Sequence, residues 1–172
     1  MEWLLLFAIL GVVQGVTEWI PVSSEGINSL ALTLLGFNPN VILPLAIWLH
    51  LGTLLAAIVY FRGDIKKLIK STPSLFSLKL NENSKLLLFI LIATLVTCLL
   101  GFPLYRFVKD LTTMSGASFM AFIGACLIAT GLLQKFAMKI KGFRRIKLVD
   151  SLVLGAIQSF SVIPGLSRSG LT

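Results

Sequence analysis

The sequence predicts an all-α polytopic membrane protein, and three observations support that fold class. Of the 172 residues, 56% are hydrophobic and only 13% are charged, whereas a soluble domain carries about 25% charged residues. Several apolar runs reach the length of about 20 residues that a helix needs to cross a bilayer. Short apolar segments with related polar turns also occur near both ends of the chain. Long apolar runs favour helices over a β-barrel, whose strands are short and alternate in polarity.

Three complete spans are predicted at residues 41–61, 86–107 and 115–136, within a single membrane domain of residues 1–172. Ahead of them, two apolar runs too short to span flank the turn Pro21-Val-Ser-Ser24. This pattern predicts a re-entrant helical hairpin over residues 1–37, because a broken helix at membrane depth must turn inside protein or a cavity.

Residues 148–172 repeat features of this first hairpin. Leu10-Gly-Val-Val-Gln14 recurs 144 residues later as Leu154-Gly-Ala-Ile-Gln158, and Ile20-Pro21 recurs as Ile163-Pro164. We therefore expect residues 148–172 to begin a second re-entrant hairpin. After Gly170 only Leu171 and Thr172 remain, so the second repeat is expected to be incomplete, with the C-terminal part of the fold absent.

The distribution of Lys and Arg predicts the orientation in the membrane. Six of these residues follow the first complete span and six surround the loop after the third, so twelve of fifteen lie on one side. By the positive-inside rule that side is cytoplasmic. The net charge of +8 is thus explained by loops and does not indicate nucleic acid. The two hairpins then enter from opposite sides, which predicts an inverted-topology repeat with its turns near the midplane.

Polar side chains in the first hairpin are candidates for chemistry. Gln14 and Glu18 are four residues apart and share one helix face. Glu18 suits a divalent cation or proton transfer, and Gln14 could add a neutral oxygen; the alternative is a polar pair joining two helices. Ser23 or Ser24 is expected to be the N-cap of the next helix, whose free N–H groups would favour an anion.

The second turn adds a cation. Arg168 lies between Ser167 and Ser169, shortly after Gly165, and Arg suits bidentate phosphate binding. The alternative for Arg168 is a structural ion pair with Glu18 or Glu25. His50, in the middle of the first complete span, is a candidate acid or base, with a helix–helix hydrogen bond as the alternative.

Two of these segments resemble a known family. The family is the undecaprenyl-diphosphate phosphatases, the bacitracin-resistance type of membrane lipid phosphatase. Its two long motifs are similar to Gln14-Gly-Val-Thr-Glu18-Trp-Ile-Pro-Val-Ser-Ser24 and to Pro164-Gly-Leu-Ser-Arg-Ser-Gly-Leu-Thr172. The run from His50 to Arg62 resembles that family's first full span. The resemblance implies removal of the terminal phosphate from a polyprenyl diphosphate, which gives the monophosphate carrier lipid used in cell-wall synthesis. It also implies a multi-pass plasma-membrane enzyme with an extracytoplasmic site that depends on Mg²⁺ or Ca²⁺.

The resemblance also suggests residue roles. The expected catalytic residues are Glu18, Ser24, His50 and Arg168. The expected substrate-binding residues are Ser23, Gly165, Ser167, Ser169 and Thr172. Glu18 and Gln14 would hold the cation. The family commonly has a histidine where this chain has Ile27, so attack by Ser24 or by a metal-activated water is expected, with Glu18 or His50 as base.

Two other functions fit the same pattern. Inverted repeats with broken helices also describe secondary transporters, in which Glu18 would bind a coupling ion and Arg168 an anionic substrate. A lipid-carrier flippase is the other alternative. The expected partners are the polyprenyl diphosphate and membrane lipids, with homodimerisation left open.

Overall fold

The computed structural model describes residues 2–76, 80–111, 116–137 and 147–171, and the regular elements of these residues are helices. Within these described residues there are eight α-helices. Their bounds are α1 Glu2–Thr17, α2 Ser24–Leu34, α3 Pro39–Tyr60, α4 Arg62–Lys70, α5 Glu82–Leu111, α6 Gly116–Ala137, α7 Leu148–Ser159 and α8 Arg168–Leu171. Short 3₁₀ turns follow α4 at Thr72–Phe76 and α7 at Phe160–Val162.

Three of the described helices, α3, α5 and α6, are long and apolar enough to cross a membrane. They overlap the three regions predicted as spans, and α5 extends beyond residues 86–107 at both ends. At about 1.5 Å per residue its 30 residues exceed the hydrocarbon thickness of roughly 30 Å. Large apolar side chains on these helices face outward; Leu99, for example, is 64% exposed. An outer surface of this kind suits lipid, and the chain is an all-α membrane protein.

The first hairpin packs against two of the spans. One buried cluster joins these helices, and it consists of Leu10 of α1, Leu32 of α2, Ile42 of α3, and Phe119 and Ile123 of α6. Between α1 and α2 the chain turns from Thr17 to Ser24, and Ser23 is the N-cap of α2. Of the two serines predicted as cap, the structure selects the first. The cluster holds this turn against α3 and α6.

The second short segment packs most closely against α5. A side chain at Gly155 of α7 would place its Cβ 2.6 Å from the Ala93 carbonyl oxygen, so only glycine allows this approach. The Thr97 hydroxyl of α5 donates to the Gly155 carbonyl at 3.1 Å. Close contact through small residues and interhelical hydrogen bonds is typical of membrane helices. This packing brings the turn after α7 to the side of α6, where α8 contacts it.

Some sequence predictions lie outside the described residues. These are the placement of Thr172 and of the basic residues Lys79, Lys139, Lys141, Arg144 and Arg145. The inverted topology and the incomplete second repeat stay predictions.

Candidate active site

The two polar turns lie in direct contact, although 142 residues separate them. The Ser23 hydroxyl accepts the N–H of Gly26 at 3.1 Å and the N–H of Gly165 at 3.0 Å. A Cβ built on Gly26 would lie 2.8 Å from the Gly165 backbone. Gly165 has φ +100°, a conformation that favours glycine. Both glycines are therefore required for the backbones to approach this closely.

A cavity of about 460 Å³ lies at this contact. The first hairpin, α3 and the second segment all contribute to its wall. Its lining includes Glu18, Ser23, Ser24, Glu25, His50, Gln158, Ser161, Ser167, Arg168 and Ser169. The Ser24 side chain and the Arg168 side chain thus line one cavity, as a shared site requires.

Glu18 is at the centre of the polar contacts in this cavity. Its Oε2 accepts the Ser24 hydroxyl at 2.8 Å and the Gln14 amide at 2.9 Å. The same oxygen lies 3.4 Å from Nε2 of His50, and Oε1 lies 3.9 Å from Nη1 of Arg168. A serine hydroxyl that donates to a carboxylate is the arrangement of a nucleophile and its base.

His50 is oriented by its own helix. Its Nδ1 lies 2.9 Å from the Ala46 carbonyl oxygen. Because a carbonyl only accepts, Nδ1 must carry the hydrogen in this contact, and Nε2 is left facing Glu18. His50 therefore takes part in the site through one defined ring nitrogen.

Gln14 positions Glu18 in this structure. Its amide donates to Glu18, and its oxygen accepts Nδ2 of Asn28 at 2.7 Å. Gln14 and Asn28 are both fully buried. The cation-binding role predicted for Gln14 stays a prediction, and its oxygen is engaged here. Asn28 had not been predicted; its position one helical turn after Ser24 was the available signal.

The second turn is held by side chains of α6. The Thr130 hydroxyl donates to the Gly165 carbonyl at 2.8 Å and accepts the Ser167 N–H at 3.2 Å. The hydroxyl oxygens of Ser167 and Ser169 lie 3.0 Å apart. Arg168 stands between these two serines in the sequence, and its side chain is about half exposed. The sequence does not predict a role for Thr130, because its only signal is a hydroxyl within an apolar span.

Glu25 is a further acidic residue of the cavity wall. It is 8% exposed, and among the described residues its Oε1 has no hydrogen-bond partner. The sequence suggests Glu25 only as an ion-pair partner for Arg168. The structure adds it to the residues that line the cavity.

A divalent cation at this site would need oxygen ligands from the cavity wall. Among the described residues, no group of three His, Cys, Asp or Glu side chains converges on one point. Mg²⁺ commonly binds through one or two carboxylates and takes its other ligands from substrate phosphates and water. Glu18 lines the cavity together with Arg168 and would supply the one carboxylate that such a cation needs.

Comparison with known proteins gives a consistent result. The family model described as "Bacitracin resistance protein BacA" matches residues 7–172. A protein of Methanococcoides burtonii named undecaprenyl-diphosphatase is 47% identical over 95% of this chain and 63% of its own length. Proteins of the same name from Haloarcula marismortui and Methanothrix thermoacetophila are 39% and 41% identical, over 100% and 95% of this chain and 65% and 60% of their own lengths. The chain thus spans less than two thirds of the length of these relatives.

Proposed function

The chain belongs to the bacitracin resistance protein BacA family, and we propose that it hydrolyses undecaprenyl diphosphate, or a similar polyprenyl diphosphate, to the monophosphate and inorganic phosphate. The observation that carries this proposal is the hydrogen bond from Ser24 to Glu18, in a cavity that Arg168 also lines. The names of the relatives support the same reaction.

Ser24 is the proposed nucleophile. Its oxygen attacks the terminal phosphorus, and the bond from that phosphorus to the bridging oxygen breaks, so the polyprenyl monophosphate leaves. The Ser24 proton passes to Oε2 of Glu18 along the 2.8 Å hydrogen bond. A water then attacks the phosphoserine, and the bond from phosphorus to the Ser24 oxygen breaks. The proton on Glu18 returns to that oxygen, which restores both residues, and inorganic phosphate leaves with the protons of the water. His50 Nε2 faces the Glu18 oxygen that holds the proton, and so can stabilise it or relay it.

Arg168 is the proposed phosphate-binding residue. Phosphoryl transfer depends mainly on positioning and on stabilising charge spread over the phosphate oxygens. A guanidinium can contact two such oxygens at once, and the serines on either side of Arg168 add hydroxyl donors. A divalent cation at Glu18 would neutralise further phosphate charge.

A second, more apolar cavity suits the prenyl chain. Its volume is about 660 Å³, and it shares Glu18, His50 and Arg168 with the first cavity. Its wall contains Ile47, Leu51, Leu54 and Ala57, which follow one face of α3. A diphosphate held between the turns could therefore extend its apolar tail along α3 into the bilayer. On this proposal the basic loops are cytoplasmic and the site opens to the extracytoplasmic side.

The test is phosphate release from undecaprenyl diphosphate by the purified chain in detergent, without any ion gradient. The proposal predicts continuous release that depends on the enzyme concentration. A transporter or a flippase would release no phosphate under these conditions, and that result would refute the proposed function.

A further inference from the structure

We propose that Thr130 is a positioning residue of this site, which sets Arg168 relative to Ser24 by holding the Gly165–Ser167 segment. The proposal rests on the proposed function for its kinetic consequences. Its structural basis is independent, because it concerns contacts of Thr130 with backbone groups.

The Thr130 hydroxyl uses its donor and an acceptor position on one short segment. It donates to the Gly165 carbonyl at 2.8 Å and accepts the Ser167 N–H at 3.2 Å. Thr130 is 3% exposed, so water does not compete for these bonds, and a lost partner would leave buried backbone groups unsatisfied. Arg168 follows directly after Ser167, so its backbone position depends on these two bonds.

The backbone N–H of Gly165 is held by the first hairpin. Its N–H donates to the Ser23 hydroxyl at 3.0 Å, and Ser23 directly precedes Ser24. Gly165 also lies so close to α6 that an added Cβ would be 2.6 Å from Cys126 Cβ and 2.7 Å from the Ile123 carbonyl oxygen. One peptide segment is therefore fixed between the N-cap of α2 and the side of α6.

This arrangement connects the nucleophile to the phosphate-binding residue through two hydroxyl groups. Ser23 fixes Gly165 relative to Ser24, and Thr130 fixes the turn that leads from Gly165 to Arg168. The Ser23 hydroxyl accepts two backbone N–H groups, which makes it a second positioning residue. A displacement of the turn would move the guanidinium away from a phosphate aligned with Ser24, and a misplacement of about 1 Å can cost about a hundredfold in rate.

The experiment compares Thr130→Val, which keeps the shape but removes the hydroxyl, with Thr130→Ser, which keeps the hydroxyl. Thr97→Val is the matched control, because Thr97 also donates a long-range hydrogen bond, from α5 to the Gly155 carbonyl of α7. Thermal stability, kcat and KM for undecaprenyl diphosphate, and hydrogen exchange of residues 163–171 are measured for each. Thr130→Ala is the second variant if Thr130→Val does not fold.

We expect Thr130→Val to lower kcat by about ten- to a hundredfold, and Thr130→Ser to restore kcat to within about threefold of the wild type. Hydrogen exchange of residues 163–171 should be faster in Thr130→Val and unchanged in Thr97→Val. The proposal is overturned if Thr130→Val changes only stability, as Thr97→Val should, or if Thr130→Ser restores neither kcat nor exchange. If the wild type releases no phosphate, the proposed function fails, and the exchange comparison still decides the role of Thr130.

Discussion

The most informative perturbation is Glu18→Gln, because it replaces the carboxylate with a neutral amide and keeps the size of the side chain. In the wild type, Glu18 Oε2 accepts hydrogen bonds from Ser24 and from Gln14. A glutamine oxygen at that position could still accept from Ser24, but it could not take the proton. A general base contributes about 10²- to 10⁴-fold to a rate, which corresponds to roughly 3–5 kcal/mol at about 1.4 kcal/mol per tenfold.

The assay is initial phosphate release from undecaprenyl diphosphate in detergent. Glu18→Gln should lower kcat by at least about a hundredfold, with thermal stability close to the wild type. Glu82→Gln is the control, because the Glu82 side chain is exposed at the start of α5 and its Oε1 pairs with Lys85 at 2.9 Å, and Glu82 does not line the cavity. A rate for Glu18→Gln within about threefold of the wild type would refute the role of Glu18 as base.

Two further substitutions test other parts of the site. Arg168→Lys should lose most activity, because an ammonium cannot contact two phosphate oxygens as the planar guanidinium does. Arg106→Lys on α5 is the control. Near-normal phosphate release by Arg168→Lys would contradict the phosphate-binding role of Arg168. Gly26→Ala should separate the two turns, because its Cβ would lie 2.8 Å from the Gly165 backbone. We expect the free energy of unfolding, measured by heat or denaturant, to fall by about 1–3 kcal/mol. Gly11→Ala is the matched control, because nothing lies within 4 Å of its added Cβ, and equal stabilities would count against the close approach.

The sequence was informative about the fold because membrane helices are encoded by length and apolarity. The apolar run at residues 115–136 predicts a span, and α6 occupies Gly116–Ala137. Helix ends were less predictable, since α5 continues past residue 107 to Leu111. The number of apolar residues in a run does not show where a helix leaves the hydrocarbon region of the bilayer.

The candidate site was predictable where polar residues are unusual for their surroundings. Glu18, Ser24, His50 and Arg168 all stood out in this way, and all four line the cavity. The partners of each polar atom were not predictable. Asn28 and Thr130 lie in helices whose faces only tertiary packing defines, and the same packing decides that Ser23 accepts the Gly165 N–H. Contacts between residues more than 100 positions apart leave no local pattern in one sequence.

The central claim is that Ser24 attacks the terminal phosphorus and carries the phosphoryl group. The most direct measurement is acid quenching of the enzyme during turnover of undecaprenyl diphosphate, followed by peptide mass spectrometry of residues 18–34. The account predicts phosphate on Ser24, and loss of both that modification and phosphate release in Ser24→Ala. Phosphate release by Ser24→Ala at the wild-type rate, or phosphate carried by another residue, would contradict it.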